Sequence, residues 1–411
     1  MKSRASAAAR GAETKHATVW LLALGTGTIF ALPTYMLLLT NSTNFVAIGI
    51  AAFALPLLAF ALRAQWNNSA LVPGFFILTI ILLPLFLSIL MHLNEYDRQL
   101  IMQMAPRMIA IMLFLVIAIL LSMQPDARLL IGRSFATLGV AMLLAFLLAA
   151  VLSPQWHGAR FVPAGMQPNW WGEVMFVMAF GSCFIHARWL RYALVGVAAI
   201  GLVLVQSRSA MLGVTPVLMA SIYLREGVSR LIVLGLVGMI IGLPAIVIVD
   251  SMMLNGSVVD GLVEFVVSNV LLLDDPYRGL DSGATGRAEG WLVAVAAIAE
   301  EPLFGHGFGR MVPVVQERGG GLLHNGHLIL AGDIGIVFYG LIMIAILAAV
   351  VRGISSGHFP FAIALLGYVL IIIVQPRVIN ANAMSMVGWL SFALIWLLPP
   401  FIPPNDKSFE I

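Results

Sequence analysis

Long apolar runs separated by short polar breaks dominate the chain, and most runs extend for roughly 18–22 residues, the length that crosses a bilayer core as a helix. Lipid gives backbone amides no partner, so such runs must satisfy their hydrogen bonds internally. The pattern predicts membrane helices near 18–38, 45–62, 71–91, 107–123, 129–152, 170–187, 190–206, 209–224, 231–250, 327–351, 358–376 and 384–402. Twelve crossings place both ends of the chain on one side. The pattern fails once, over about 75 residues at 251–326, and loops that long are uncommon unless they are functional. Within this loop Trp291, Val295, Ile298 and Ala299 recur at helical spacing and predict an amphipathic helix resting on the bundle. Arg318-Gly319-Gly320-Gly321 reads as a flexible hinge beside His324. The resulting organisation is a tail at 1–17, nine helices over 18–250, a loop at 251–326, three helices over 327–402 and a tail at 403–411.

Composition strengthens this reading. Of 411 residues, 61% are hydrophobic and 10% charged, where a soluble protein carries roughly 25% charged residues. The class is therefore an all-α integral membrane protein. Orientation follows from Lys2, Arg4, Arg10, Lys15, Arg63, Arg128, Arg188, Arg191, Arg225, Arg230, Arg352 and Lys407, which fall on one side and place both termini in the cytoplasm. A net charge of +3 distributed in this way serves orientation and gives no footprint for nucleic acid. The single cysteine, Cys183, excludes an intrachain disulfide and supports no cysteine metal site. Met1 to His16 is basic and polar, and the run after it has no small-residue cleavage site; the segment reads as a retained cytoplasmic tail.

With the topology drawn, Arg160, Arg208, Arg278, Arg287, His324 and Arg377 gather at the opposite, extracytoplasmic surface. Any one arginine there can simply snorkel to lipid phosphates. Several together, beside a long loop and a histidine, suit the handling of a dianion, because guanidinium binds phosphate oxygens bidentately and keeps its charge in a partly dry site. Arg208 is the most telling, since apolar helix flanks it on both sides and no carboxylate lies nearby in sequence. Its partner is remote or a ligand. His324 opens the segment His-Asn-Gly-His and is suited to proton exchange near neutral pH. His327 shares a helical face with it, but no further ligands have a matching pattern, so the reading is no metal. His306 sits among glycines in a tight turn, and neither phosphate-loop nor dinucleotide spacing is met.

Four segments resemble, in order, the O-antigen ligase and polymerase family of bacterial surface-polysaccharide assembly. Arg160 to Asn169 is similar to an outer-loop motif ending in Pro-Asn before a helix. Ser207-Arg208 to Leu212 matches Arg-x-x-x-Leu, and Arg287 to Gly309 resembles an Arg, Trp, Pro-Leu-Phe-Gly-x-Gly-Phe-Gly pattern. His324 to Gly335 is similar to a His-Asn signature, with Asp333 where an acidic residue is usual. Pro276 to Arg287 resembles exopolysaccharide-polymerase-like members more than lipid A-core ligases.

The resemblance implies a GT-C-like, metal-independent, cofactor-free glycosyltransferase of the bacterial inner membrane, with a periplasmic active site and long periplasmic loop between helices nine and ten. The donor would be a glycan on undecaprenyl diphosphate. The acceptor would be another lipid-linked repeat unit for a polymerase or lipid A-core for a ligase, and a chain-length copolymerase is an expected partner of the former. Carried onto this chain, His324, Arg208 and Arg287 become the catalytic candidates, with Arg160, Asn169, Arg278 and Asn325 binding substrate. A transporter or flippase would instead place ionisable or helix-breaking residues near mid-membrane in both halves, and no such pairing occurs. A purely structural scaffold would have no reason to hold Arg208 within an apolar hairpin.

Overall fold

The computed structural model describes residues 71–400 apart from 97, 125, 158–159, 206, 238–284, 321–322, 324 and 374–382, together with Leu24, Thr26 and Ala31; Arg160, Arg208 and Arg287 are among residues described by backbone alone. Twelve α-helices occur among these residues. They are α1 (Leu71–Met91), α2 (Arg98–Ser122), α3 (Ala127–Leu152), α4 (Pro168–Ser182), α5 (Arg188–Val205), α6 (Arg208–Val237), α7 (Thr285–Glu300), α8 (Met311–Glu317), α9 (Gly326–Ile334), α10 (Ile336–Ser355), α11 (Phe359–Ile372) and α12 (Ala383–Leu397). A two-residue antiparallel ladder, β1 (Trp156–His157) with β2 (Arg160–Phe161), lies between α3 and α4. By length and composition α1, α3, α5 and α10 are long and apolar enough to cross a membrane. The chain is a multi-pass membrane protein. The expected helix at 45–62, and most of those at 18–38 and 231–250, lie outside the described residues.

Burial orders the bundle. In α4 every side chain from Trp170 to Ser182 is buried, as is every one from Met384 to Ile395 in α12; helices apolar all round belong at the centre. They fall short of a full crossing, while the longer α1, α3, α5 and α10 present large apolar side chains outward. Lipid supplies no hydrophobic drive between helices, so close packing of small residues holds them. A methyl on Gly181 would stand 2.6 Å from the Cα of Gly139, joining α4 to α3. One on Gly213 would stand 2.3 Å from the carbonyl oxygen of Gly367, joining α6 to α11. Antiparallel α6 and α11 thus bring the start of one to the end of the other.

One end of the bundle is strongly basic. There Arg191 is ion-paired with Glu226, the Arg128 guanidinium donates to the Pro399 carbonyl, and Arg352 Nε donates to Ile395 O at 3.1 Å. Gly227, at φ +77° and ψ 179°, breaks α6 at this end, where the sequence predicts a turn.

Three expectations change. The helix expected at 327–351 is two helices meeting at Gly335 (φ +84°), because the chain there presses on the Leu303 carbonyl and a methyl would approach it to 2.2 Å. The glycine run after Arg318 is no hinge as far as Gly320. Gly319 N–H donates to Gln316 O at 3.0 Å and Gly320 N–H to Val315 O at 2.9 Å, the paired bonds of a Schellman cap on α8. Arg318 is clamped on Glu300 by two hydrogen bonds of 2.7 and 2.8 Å.

The amphipathic helix of the loop forms, as α7, with its inner face rotated from the expected one. Ala294, Ala297 and Ile298 pack on Met311, Val314, Val315, Leu323, Ile329 and Ala331, a second small core. Val295 turns outward, because alanines let α7 approach α8 and α9 closely while the larger side chains remain outside.

Candidate functional site at the loop end of the bundle

The end opposite the basic one is assembled from two halves. The first begins where α3 stops. The chain turns through the β1–β2 ladder, pairing His157 with Arg160 and Trp156 with Phe161, and Val162 N–H donates to Gln155 O at 2.8 Å. Trp171 Nε1–H donates to the Pro163 carbonyl at 2.9 Å and fixes this loop to α4. Pro168 then opens α4, since its fixed φ suits a first helical position and its missing N–H is not needed there. In this first turn Asn169 Oδ1 accepts a hydrogen bond from Ser207 Oγ at 3.0 Å. A methyl on Gly172 would come 2.4 Å from Ala210 Cβ, so the absent side chain lets the first turns of α4 and α6 lie side by side. Arg208, the first residue of α6, follows Ser207 directly.

The second half is the Pro302–Arg310 turn with α9. Gly305, Gly307 and Gly309 adopt φ of +66°, +99° and +86°, a backbone that only glycine enters freely. His306 N–H donates to Gly332 O at 2.8 Å, and its Nε2 donates to Ala297 O at 2.8 Å. His306 is thus a bracket between α7 and α9, as its glycine setting suggests. Tyr96 donates to Phe308 O at 2.9 Å, and Arg310 pairs with Glu95, tying the turn to the end of α1. The buried Asp333 carboxylate accepts Met311 N–H at 2.9 Å. The glycine pattern and the acidic residue of the His-Asn segment are therefore two faces of one joint.

Asp333 lies before the α10 span, and its environment sets a pH dependence. Burial raises its carboxyl from 3.8 to about 7, against backbone N–H donors at Met311, Gly309 and Arg310 and the Arg107 charge, which lower it. An acid raised on folding binds its proton more tightly in the folded state, so its stabilising contribution is complete below 3.8 and is lost as pH rises to about 7. Asp333→Asn is expected to abolish this part of the decline, measured as unfolding temperature against pH in detergent. Parallel profiles for the two proteins would contradict it.

Asn325 is the N-cap of α9, its Oδ1 accepting Leu328 N–H at 3.1 Å. His327 Nε2 donates to Val369 O at 3.1 Å, and its Nδ1 accepts from the Tyr339 hydroxyl at 2.9 Å. With both ring nitrogens engaged, His327 joins α9 to α10 and α11. The last turns of α11 thus meet α9 through Val369 and α6 through Ile371. Asn169, the backbone of Arg208, and Asn325 consequently share one end of the bundle. The β2 backbone at Arg160 is at that end too. The first turn of α7, which holds Arg287, precedes by two turns the groove that Val295 and His327 line. His324 and Arg278, like Arg377, lie outside the described residues.

Sequence reasoning missed Glu173. It is buried one turn beyond Asn169 and lies within electrostatic range of Tyr368 on α11. Distance along the chain concealed it; as the lone carboxylate in the run at 170–187 it carried a signal all the same. Two apolar grooves open among the described residues. One of about 460 Å³ is lined by α1 and α2, including Leu82, Phe86 and Met108. The other, about 330 Å³, runs between α7, α9 and α10, with His327 and Tyr339 on its wall.

Residues 193–344, from α5 into α10, match the family model described as O-antigen ligase. The match supports membership of the O-antigen ligase family. It spans Arg208, Arg287 and the whole joint from Pro302 to Gly335, so the resemblance read from these motifs is borne out there, while Arg160 and Asn169 precede the matched stretch. No curated protein matches the chain. Function of the O-antigen ligase and polymerase type, on lipid-linked glycans at a bilayer, is what the O-antigen ligase match supports.

Proposed function

We propose that the protein is a polymerase-type glycosyltransferase. It would move an undecaprenyl-diphosphate-linked glycan onto a sugar hydroxyl of another lipid-linked repeat unit, without metal and with inversion. The family match across the loop-end motifs supports a glycan transferase of this type, and the resemblance of Pro276 to Arg287 to exopolysaccharide-polymerase-like members carries the choice of polymerase. In the proposed step the acceptor oxygen forms a bond to the anomeric carbon as the bond from that carbon to the diphosphate oxygen breaks. The electron pair leaves with undecaprenyl diphosphate, and Arg208 and Arg287 stabilise its charge, with Arg278 and Arg160 assisting. His324 accepts the hydroxyl proton as general base. Asn169 and Asn325 hold the backbone geometry on either side and contact sugar. The apolar groove between α7, α9 and α10 takes part of the polyprenyl chain. The site faces the periplasm of a bacterial inner membrane, with both termini cytoplasmic, and a chain-length copolymerase is the expected partner.

A ligase that uses lipid A-core as acceptor is the second reading, favoured by the description of the matched family. Purified protein incubated with lipid-linked repeat units, with and without lipid A-core, separates the two. Ladders formed without core establish the polymerase, and one capped product that requires core establishes the ligase. Loss of product on adding EDTA would overturn the metal-free mechanism.

A further inference from the structure

A second cluster of charge lies at the basic end, away from the proposed transfer site. The turn between α4 and α5, the first turn of α5 and the part of α6 on both sides of Gly227 bring together His186, Arg188, Arg191, Arg225, Glu226 and Arg230. Glu226 is the carboxylate that meets this cluster. Its side chain is nearly buried, and Arg191, equally buried, takes Oε1 as a close ion pair. Arg191 also donates to the Ile185 carbonyl at 3.2 Å, so this pair locks the two turns together. Arg188 and Arg230 reach Glu226 only at 3.4 and 4.0 Å and are mostly exposed. One carboxylate therefore serves three guanidinium groups.

Arg225 turns the other way, with Nη2 at 3.4 Å from His186 Nε2, and both side chains are exposed. The contact is a hydrogen bond in which the guanidinium donates to a neutral imidazole, so no carboxylate among the described residues meets the Arg225 charge there. Burial and the fields of Arg225, Arg191 and Arg133 hold the His186 imidazole below its ordinary value, against a hydrogen bond to the Phe184 backbone that raises it, so the neutral ring joins Arg225 to the α4–α5 turn. The surroundings are equally specific. Trp189, 75% exposed, follows Arg188 at the point where the α5 span begins, and Tyr223 and Leu224 are exposed beside Arg225. Exposed Trp and Tyr at a span's end mark the level of lipid headgroups.

We propose that Arg188 and Arg225 bind the phosphate of one anionic phospholipid, whose glycerol and acyl chains lie against Trp189, Tyr223 and Leu224. A guanidinium matches phosphate oxygens in a fork and is weakly hydrated, so arginine suits this boundary. The lipid completes the charge balance of the α4–α5 turn and braces the break at Gly227, at the end of the bundle remote from the proposed transfer site.

Native mass spectrometry of the full-length protein, released from nanodiscs containing phosphatidylglycerol or phosphatidylcholine, tests this without reference to transfer activity. Wild type is expected to retain one phosphatidylglycerol and to exclude phosphatidylcholine. Arg225→Gln and Arg188→Gln are each expected to weaken retention about fivefold, as loss of one cation near an anionic headgroup predicts. Neither residue forms the close pair that locks the turns, and unchanged melting in phosphatidylcholine verifies that each variant folds. Equal retention of both lipids, or retention unaffected in both variants, overturns the proposal. So does displacement of the lipid by inorganic phosphate, which would identify a site for a free anion.

Discussion

Arg208→Ala is expected to lower glycan transfer by about two to three orders of magnitude, the usual effect of removing one preorganised charge from a developing anion. The expectation rests on the proposed role and on where the backbone holds this residue. Ser207 is buried and bonded to Asn169, and Gly172 lets α4 and α6 close on each other. The first residue of α6 is therefore set by contacts on both sides, and its position does not depend on a mobile loop. Arg208→Lys should recover only part of the activity, because a point charge cannot reproduce a two-pronged grip on diphosphate. Transfer by purified variants with matched melting curves is the measurement. Near-normal turnover by Arg208→Ala would remove this residue from the mechanism.

Gly305→Ala should cost about 3–5 kcal/mol of stability, adding left-handed backbone strain to overpacking against groups that cannot move aside. Gly305 sits at φ +66°, and a methyl there would stand 2.3 Å from the Gly332 carbonyl oxygen and 2.6 Å from the Gly335 nitrogen. These are backbone atoms of α9 and of the α9–α10 break, so relief requires moving the Asn325 helix itself. Unfolding in detergent measures the loss, and transfer should fail together with stability. Gly196→Ala is the control. Its position in α5 has nothing within 4 Å, and a methyl there should leave stability unchanged or raise it by up to about 1 kcal/mol. Equal melting of the two variants would show that the joint is looser than its geometry implies.

The membrane class, most helix positions and the basic end were legible because the bilayer imposes them on composition. Backbone satisfaction demands long apolar helices, and orientation demands arginines such as Arg128, Arg188 and Arg352 on one side. The motif residues were legible as well, but not what each does. Asp333 read as an acid inside a helix and proves to be the acceptor that seats the first turn of α8. His327 read as a possible companion to His324, yet both its nitrogens are engaged with α10 and α11. Asn325 caps a helix that the apolar pattern had merged with the next.

What the sequence determined alone is the set of local demands: where backbone must be helical, where glycine must stand, and which end must be positive. Tertiary packing decided which distant segments meet, such as Ser207 with Asn169, His306 with Gly332 and Glu173 with the α11 face. The physical reason is that lipid selects side chains by polarity and says nothing of partners. Partners are chosen by close contacts between small residues and by the buried polar groups that must be satisfied once those contacts form.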